Sequence, residues 1–417
     1  MHFAIIARVL GMLLVIFSLT MLTPVLVAFI YGENTSPTFV LAFAITLIIG
    51  MIFWLPSRGA RGELRTRDGF VVTVFFWLVL SSFGALPLML SDALQLSFID
   101  ALFESVSGLT TTGATVIAGL DNLPKSILYY RQQLQWLGGI GIVVIAVAIL
   151  PMLGVGGMQI YRAETPGPMK DSKLTPRITE TANVLFRIYL CLTIACALAY
   201  WAAGMSGFDA ISHSFSTVSI GGFSTHDASI GFFDNSAIMA ICCFFMIIAG
   251  LNFALHFHAW HSRRPSMYWA DPEARMYLFL LMVGAIITCC YLYYSGTFDG
   301  RESVRQGTFQ LISIMTTTGF TTSEFHSWPS FLPFFLIFLS FFGACAGSTG
   351  GGIKIGRMLI LAKQGLREIY RLVHPNALLP IKIRNRTVPT RVVDAIWAFM
   401  GVYLAIFYLM VLLLLAT

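Results

Sequence analysis

Three stretches of this chain combine short hydroxylated side chains with a glycine at one fixed offset. They read DALFESVSGLTTTGAT over 100–115, DAISHSFSTVSIGGFST over 209–225 and QGTFQLISIMTTTGFTT over 306–322. In each the glycine (Gly113, Gly222, Gly319) stands 13 residues after the first letter. The chemistry on offer is that of backbone carbonyls. A potassium ion entering a narrow pore must exchange its hydration oxygens for protein oxygens, and carbonyls supply them without burying a full charge. Glycine permits backbone angles that a Cβ resists. The candidate donors are Thr110, Thr111, Thr112 and Gly113; Ile220, Gly221 and Gly222; and Thr317, Thr318 and Gly319. One Thr-Thr-Gly alone is an ordinary polar turn. Three at one offset, each between apolar segments, read as strips of an ion filter.

A second unusual segment is GACAGSTGGGIK, 343–354. Its spacing does not match a Walker phosphate loop. It can be a passive kink that lets helices approach, or a movable flap under the filter. Its place in the long helix that follows the third strip favours the flap, with Gly347, Ser348, Thr349, Gly350, Gly351, Gly352 and Lys354 as the gate. The cluster Gly138–Gly141 predicts close helix contact, and Gly154–Gly157 marks a helix end or bend near the cytoplasm. His256, His258 and His261 read as interfacial polar residues rather than metal ligands. The seven cysteines have no ligand spacing and read as packing residues.

Something must hold these strips at membrane depth. Hydrophobic residues make up 57% of the 417 and charged ones only 11%, so the chain is a polytopic, all-α membrane protein. Apolar runs of about 20 residues predict spans near 4–30, 39–55, 70–90, 134–153, 184–204, 237–258, 276–294, 331–346, 355–371 and 392–416. The first is a retained helix, not a signal peptide. The segments 96–107, 208–217 and 304–315 are too short and polar to cross, and predict half-length helices entering from one face. Asp100 and Asp209 open the first two as caps against the helix dipole, with Gln306 as a weaker counterpart. The resulting division is a hairpin (1–56), three helix–strip–helix repeats (68–165, 175–265, 272–373) and the first helix of a fourth (389–417).

All but four of the 26 basic residues (Lys125, Arg131, Arg301 and Arg305) fall on one side, which the positive-inside rule makes cytoplasmic. The strips then face outward, among carboxylates that favour cation entry. The net charge of +6 is a by-product of this topology and predicts no nucleic-acid partner. Trp54, Trp136, Trp201, Trp260, Trp269 and Trp328 stand near span ends, as an aromatic belt would. Ion-coupled symport, with sodium or protons, is the alternative transport mode, although coupling calls for ionisable groups at midplane and the spans hold few. An intramembrane enzyme has only Glu104 and His213 to draw on. With Gln310 they share one offset, and read as polar support behind the filter.

On VSGLTTTGAT, STVSIGGFSTHD, IMTTTGFTT and GACAGSTGGGIK the chain resembles the Trk/Ktr/HKT superfamily of potassium transporters, most closely its bacterial TrkH-like pore subunits. The resemblance covers the whole length. It implies a pseudo-fourfold pore in the bacterial inner membrane, a homodimer, potassium as permeant ion with no covalent cofactor, and no enzymatic activity. It also implies a cytoplasmic nucleotide-binding ring, TrkA-like, which the basic segment 354–391 would contact, and makes 343–354 the intramembrane gating loop. A glycine at position 113 goes with potassium preference. In that family a fourth short helix, strip and closing helix follow the counterpart of 392–416, so the chain reads as C-terminally truncated, with three strips of four.

Overall fold

The computed structural model describes residues 3–60, 66–149, 178–377, 379–383 and 386–416. Arg162, Lys170, Lys173 and Arg177, like Gly154–Gly157, lie outside them. The helices in chain order are α1 (Phe3–Thr20), α2 (Leu22–Tyr31), α3 (Ser36–Ser57), α4 (Thr66–Gly84), α5 (Leu86–Met89), α6 (Phe98–Leu109), α7 (Lys125–Ile149), α8 (Ile178–Ala202) and α9 (Gly207–Val218). There follow α10 (Ser236–Ala249), α11 (Phe253–Ser262), α12 (Met267–Ala270), α13 (Pro272–Tyr294), α14 (Gly300–Met315), α15 (Phe331–Phe342), α16 (Ile355–Val373) and α17 (Thr390–Ala416). A two-residue hairpin, β1 (Lys382–Ile383) with β2 (Arg386–Thr387), pairs Lys382 with Thr387 between the last two helices.

Among the described residues six helical stretches are long and apolar enough to cross a membrane, and α10 with α11 makes a seventh when counted as one bent span. These crossing stretches are apolar almost all round, as side chains facing lipid must be, and their helical form satisfies the backbone groups that lipid cannot. Where helices touch closely, small residues make it so. A Cβ on Gly11 of α1 would stand 2.6 Å from the Trp54 nitrogen and 2.8 Å from the Gly50 carbonyl of α3, a backbone approach that larger residues would prevent. One core joins α1, α3, α4, α6 and α7; a second joins α8 to α11 with α13 to α15.

Two sequence expectations are corrected. The span expected at 237–258 is not straight: it breaks at Gly250–Asn252 and turns by 93°. Asn252 caps α11 by accepting from the Ala254 N–H at 2.8 Å, and a Cβ on Gly250 would overlap the Tyr277 hydroxyl. The segment 355–371 is not an apolar span either. As α16 it is amphipathic, carrying Arg357, Lys363, Arg367 and Arg371 along one helix, and it buries Ile360 against Ile381, Val388, Val393 and Ile396 of the hairpin region and α17. The aromatic belt holds in part. Trp201, Trp260 and Trp269 are exposed, whereas Trp328 is buried and Trp136 stacks inside on Tyr189 and Phe215.

Candidate functional site: three strips, a polar brace and a glycine loop

The half-length helices α6, α9 and α14 each deliver one strip. Ser97 and Ser206 are the N-caps of the first two, accepting from the Asp100 and Asp209 N–H groups at 3.2 and 3.0 Å. Their hydroxyls in turn donate to the same aspartates' carboxylates at 2.7 Å, which fixes the rotamer of the capping serine. The aspartates therefore sit two residues inside the helix rather than at its cap. In the third copy the cap is Asp299, which accepts from Glu302 N–H at 2.8 Å. So α14 runs 16 residues against 12 in α6 and α9, and Gln306 is an interior residue. All three helices aim their C-termini, the negative end of the dipole, toward the strips.

Each helix ends in the same way. The N–H groups of Thr111, Ile220 and Thr317 reach back to Gly108, Thr217 and Ile314, at 3.0, 3.2 and 3.0 Å. Those of Thr112, Gly221 and Thr318 reach Ser107, Ser216 and Ser313, at 2.9, 2.8 and 2.8 Å. This is the Schellman pattern, whose left-handed residue is usually glycine. Here it is β-branched every time: Thr111 has φ 54°, Ile220 57° and Thr317 68°. Such a residue in that region carries strain of about 1–3 kcal/mol. The next residues return to negative φ, and Gly113, Gly222 and Gly319 are positive again at 80°, 82° and 86°. Alternating hands bring neighbouring backbone groups onto shared sides of the strip.

The strips lie side by side. A Cβ on Gly113 would overlap the Gly221 carbonyl oxygen, and one on Gly222 would overlap the Thr318 carbonyl oxygen. The predicted donors are thus brought together as an arc, strip one against two and two against three. Gly319 has no atom within 4 Å of the corresponding position, and Thr110, Thr112 and Gly319 are exposed, so the arc is open between the third strip and the first. Strips one and three share a hydroxyl pair, Thr110 with Thr112 at 2.8 Å and Thr316 with Thr318 at 2.7 Å.

Behind the strips runs a polar brace. Glu104, buried on α6, accepts from the Arg131 Nε at 2.7 Å, from the Thr115 hydroxyl at 2.9 Å and from the Val116 N–H at 3.1 Å. Arg131 also donates to the Ser224 carbonyl at 3.3 Å and lies over the Phe223 ring. It is fully buried, not a free cation of the outer face. Removing one partner of such a buried pair costs about 3–5 kcal/mol. His213, at the Glu104 offset, pairs with the Ser224 hydroxyl at 2.9 Å. The Gln310 amide, at the same offset, is buried without a hydrogen-bond partner among the described residues. Asp209 and Gln306 each accept from a threonine beyond the strip, Thr225 at 2.8 Å and Thr322 at 2.5 Å.

The sequence reading missed three glutamines on α7. The Gln132 amide lies between the Ser212 carbonyl at 2.7 Å and the Thr225 N–H at 3.0 Å. Gln133 ties α7 to the N-terminal helices, donating to the Thr20 carbonyl at 2.9 Å. Gln135 donates to the Gly221 carbonyl at 2.6 Å and accepts from the Phe223 N–H at 3.0 Å. The signal was present: RQQLQ interrupts an apolar run, and polar groups at membrane depth must find partners. Within the cluster 138–141 the expected close contact holds at two glycines, since a Cβ on Gly138 would overlap the Leu109 carbonyl and one on Gly139 would meet Ser219 at 2.6 Å, whereas Gly141, at φ 47° and ψ −151°, kinks α7 instead.

The glycine segment 343–354 folds back against the strips. Gly351 N–H donates to the Thr317 hydroxyl at 2.8 Å, and the Thr349 hydroxyl donates to the Val218 carbonyl, at the end of α9, at 2.9 Å. It also docks on the break in the bent span, through Cys345 N–H to Gly250 O at 2.9 Å and Phe253 N–H to Gly347 O at 3.0 Å. Glu273, also absent from the sequence reading, holds both ends: one carboxylate oxygen accepts from Ala346 N–H at 2.7 Å and Gly356 N–H at 2.8 Å. Lys354, at φ 78°, donates to the Gly350 carbonyl.

On the outer face His226 joins two loops. Its Nδ1 meets Asp121 at 2.5 Å and its Nε2 lies 3.5 Å from Asp209. Burial lowers the His226 pKa, but hydrogen bonds and charges from Asp209 and Asp121 outweigh it, and the net shift is upward. The hydrogen bond from His226 holds Asp121 below its ordinary value. The histidines 256, 258 and 261 do not converge. His256 bonds the Tyr268 hydroxyl at 2.8 Å and the Ile248 carbonyl at 3.0 Å, and no group of three metal-ligating side chains occurs among the described residues.

Residues 35–416 match the family described as TrkH, cation transport protein. The Trk system potassium uptake protein TrkH of Halomonas elongata is 54% identical over 100% of this chain and 86% of its own length. That of Escherichia coli K12 is 51% identical, with the same coverage. The crystal structure of the potassium transporter TrkH from Vibrio parahaemolyticus superposes with a TM-score of 0.89 at 51% identity, over 98% of this chain and 85% of that one.

Proposed function

Since the chain belongs to the TrkH family of cation transport proteins, we propose that it takes up potassium across the bacterial inner membrane through the arc of strips. One observation carries the reading: three strips of alternating backbone hand, packed edge to edge, with Gly113 against the Gly221 carbonyl oxygen and Gly222 against that of Thr318. Dehydration of the ion is offset by carbonyls that stand fixed before it arrives. In this reading Thr110–Gly113, Ile220–Gly222 and Thr317–Gly319 form the filter, and 1–56, 68–165, 175–265, 272–373 and 389–417 are the hairpin, three pore repeats and the first helix of a fourth. Potassium is the permeant ion and no other cofactor takes part. Glu104 and Arg131, two ionisable groups behind the strips, are tied to each other, which supports a pore more than coupled symport.

The glycine segment is the gate: it bonds the third strip at Thr317 and is clamped at both ends by Glu273. The amphipathic α16 and the adjoining hairpin present the basic surface that a cytoplasmic nucleotide-binding regulatory ring would contact, and two copies of the chain associate in the membrane. Growth of a potassium-uptake-deficient strain at low potassium tests the function. The full-length protein restores it and Gly222→Ala does not. Restoration by sodium supply instead of potassium would overturn the ion assignment. Alanines at Gly350, Gly351 and Gly352 test the gate, and unchanged flux would refute it.

A further inference from the structure

The second strip reads Ser219-Ile220-Gly221-Gly222 against Thr-Thr-Thr-Gly in the other two, and one of its departures removes a side chain altogether. Where strips one and three carry Thr112 and Thr318, it carries Gly221. In those two strips the threonine hydroxyl pairs with the threonine two residues earlier, a small strut that stiffens the backbone carrying the carbonyl. Gly221 has no side chain to make it. The vacated space is filled from another helix: a Cβ on Gly221 would overlap the Gln135 amide, with all three terminal atoms of that side chain against it. Gln135 is fully buried, donates to the Gly221 carbonyl at 2.6 Å and accepts from the Phe223 N–H at 3.0 Å. Its one amide thus spans the glycine of the strip, fixing the carbonyl before Gly222 and the N–H after it.

We infer that Gln135 and Gly221 are a complementary pair in which the α7 amide replaces the missing hydroxyl strut, making Gln135 a positioning residue for ion selectivity. The inference rests on the filter reading and adds a division of labour to it. Two strips are braced from within and one is braced by the neighbouring helix. A bidentate side-chain amide suits the task, because it satisfies a donor and an acceptor at once in a site that water does not reach. The Arg131 and Gln132 contacts lie further along the same segment, at Ser224 and Thr225, so that Gln135 is the member of the brace that touches the strip itself.

The test is rubidium against sodium uptake by the full-length protein reconstituted in liposomes. The variants are Gln135→Met, which keeps the volume and removes both bonds, Gly221→Thr, which adds the strut but collides with Gln135, and the double Gln135→Ala with Gly221→Thr, which moves the strut inside the strip. Gly222→Ala serves as the control. Each single variant is expected to lower the rubidium-to-sodium ratio about tenfold or more, and the double variant to recover most of the loss. A merely structural role would change the amount of folded protein, read by size-exclusion profile, and leave the ratio alone. If Gly222→Ala abolishes discrimination while Gln135→Met keeps the parent ratio, the inference is overturned and the filter stands. A double variant as poor as the two singles combined overturns it as well. If Gly222→Ala itself keeps the parent ratio, the filter reading falls and the inference with it.

Discussion

Substituting Glu273 by glutamine should loosen the glycine segment without changing its shape. One carboxylate oxygen accepts two backbone N–H groups, from Ala346 at 2.7 Å and Gly356 at 2.8 Å, so a single side chain clamps the segment where it begins and where it rejoins α16. Hydrogen bonds to a charged group contribute about 1.5–3 kcal/mol, and neutral ones about 0.5–1.5. Replacing the charge therefore removes about 1 kcal/mol per bond, or about 2 kcal/mol in all. At about 1.4 kcal/mol per factor of ten this shifts the segment's equilibrium about 30-fold away from its seat against Thr317 and Val218. In liposomes, rubidium uptake through Glu273→Gln should rise toward that factor, and backbone hydrogen exchange over 344–356 should quicken in step. Uptake and exchange both equal to the parent would refute the reasoning. Faster exchange without a change in uptake would show a loose segment that does not gate.

Three further outcomes follow from the same geometry. Ile220→Gly relieves a β-branched residue held at φ 57°. Because Ile220 is buried, the left-handed strain relieved, about 1–2 kcal/mol, is smaller than the loss of its packed side chain, about 2–5 kcal/mol, so thermal stability should fall by about 1–3 kcal/mol. Ion discrimination should fall as the carbonyls lose their fixed direction, and a more stable protein of unchanged selectivity would contradict this. Arg131→Met leaves the Glu104 carboxylate buried and unpaired, and should cost about 3–5 kcal/mol in a detergent melting assay; a loss below about 1 kcal/mol would contradict it. His226 has its folded pKa raised above 6.5, so its protonated form contributes stability present below 6.5 and lost as pH rises through the raised value. Asp121, depressed below 3.8, contributes above 3.8 and loses its contribution as pH falls through its lowered value. With Asp121 largely in solvent the pair contributes only about 0.5 kcal/mol. The melting temperature should hold between those limits and decline slightly above 6.5, and His226→Gln should flatten that decline.

The strips were legible because their chemistry is local: hydroxylated residues and a glycine at a repeated offset identify a backbone motif without knowledge of its neighbours. The starts of the short helices were less so. Asp100 and Asp209 look like caps in sequence, but the cap is the serine three residues earlier, and the aspartate stands inside the helix accepting that serine's hydroxyl. In the third copy one added turn moved the start to Asp299, which equal offsets from Gly319 hide. The bend at Gly250–Asn252 was illegible because hydropathy averages over an apolar window and does not register a cap inside it. What decides that bend is tertiary: Tyr277 fills the space beside Gly250, and the glycine segment bonds Gly250 and Phe253. Likewise α16 passed as a span because its apolar face was read without the basic residues between. The brace on α7 required knowing which strip that helix would meet, although glutamines in an apolar run announced that partners existed.

The central claim is that the carbonyls of the three strips hold the permeant ion. Anomalous diffraction from crystals of the full-length protein soaked in rubidium tests it most directly. An ion peak is expected on the axis bounded by the Thr112, Gly221 and Thr318 carbonyls, weakened by Gly222→Ala. Rubidium bound elsewhere, with that axis empty in the parent protein, would contradict it.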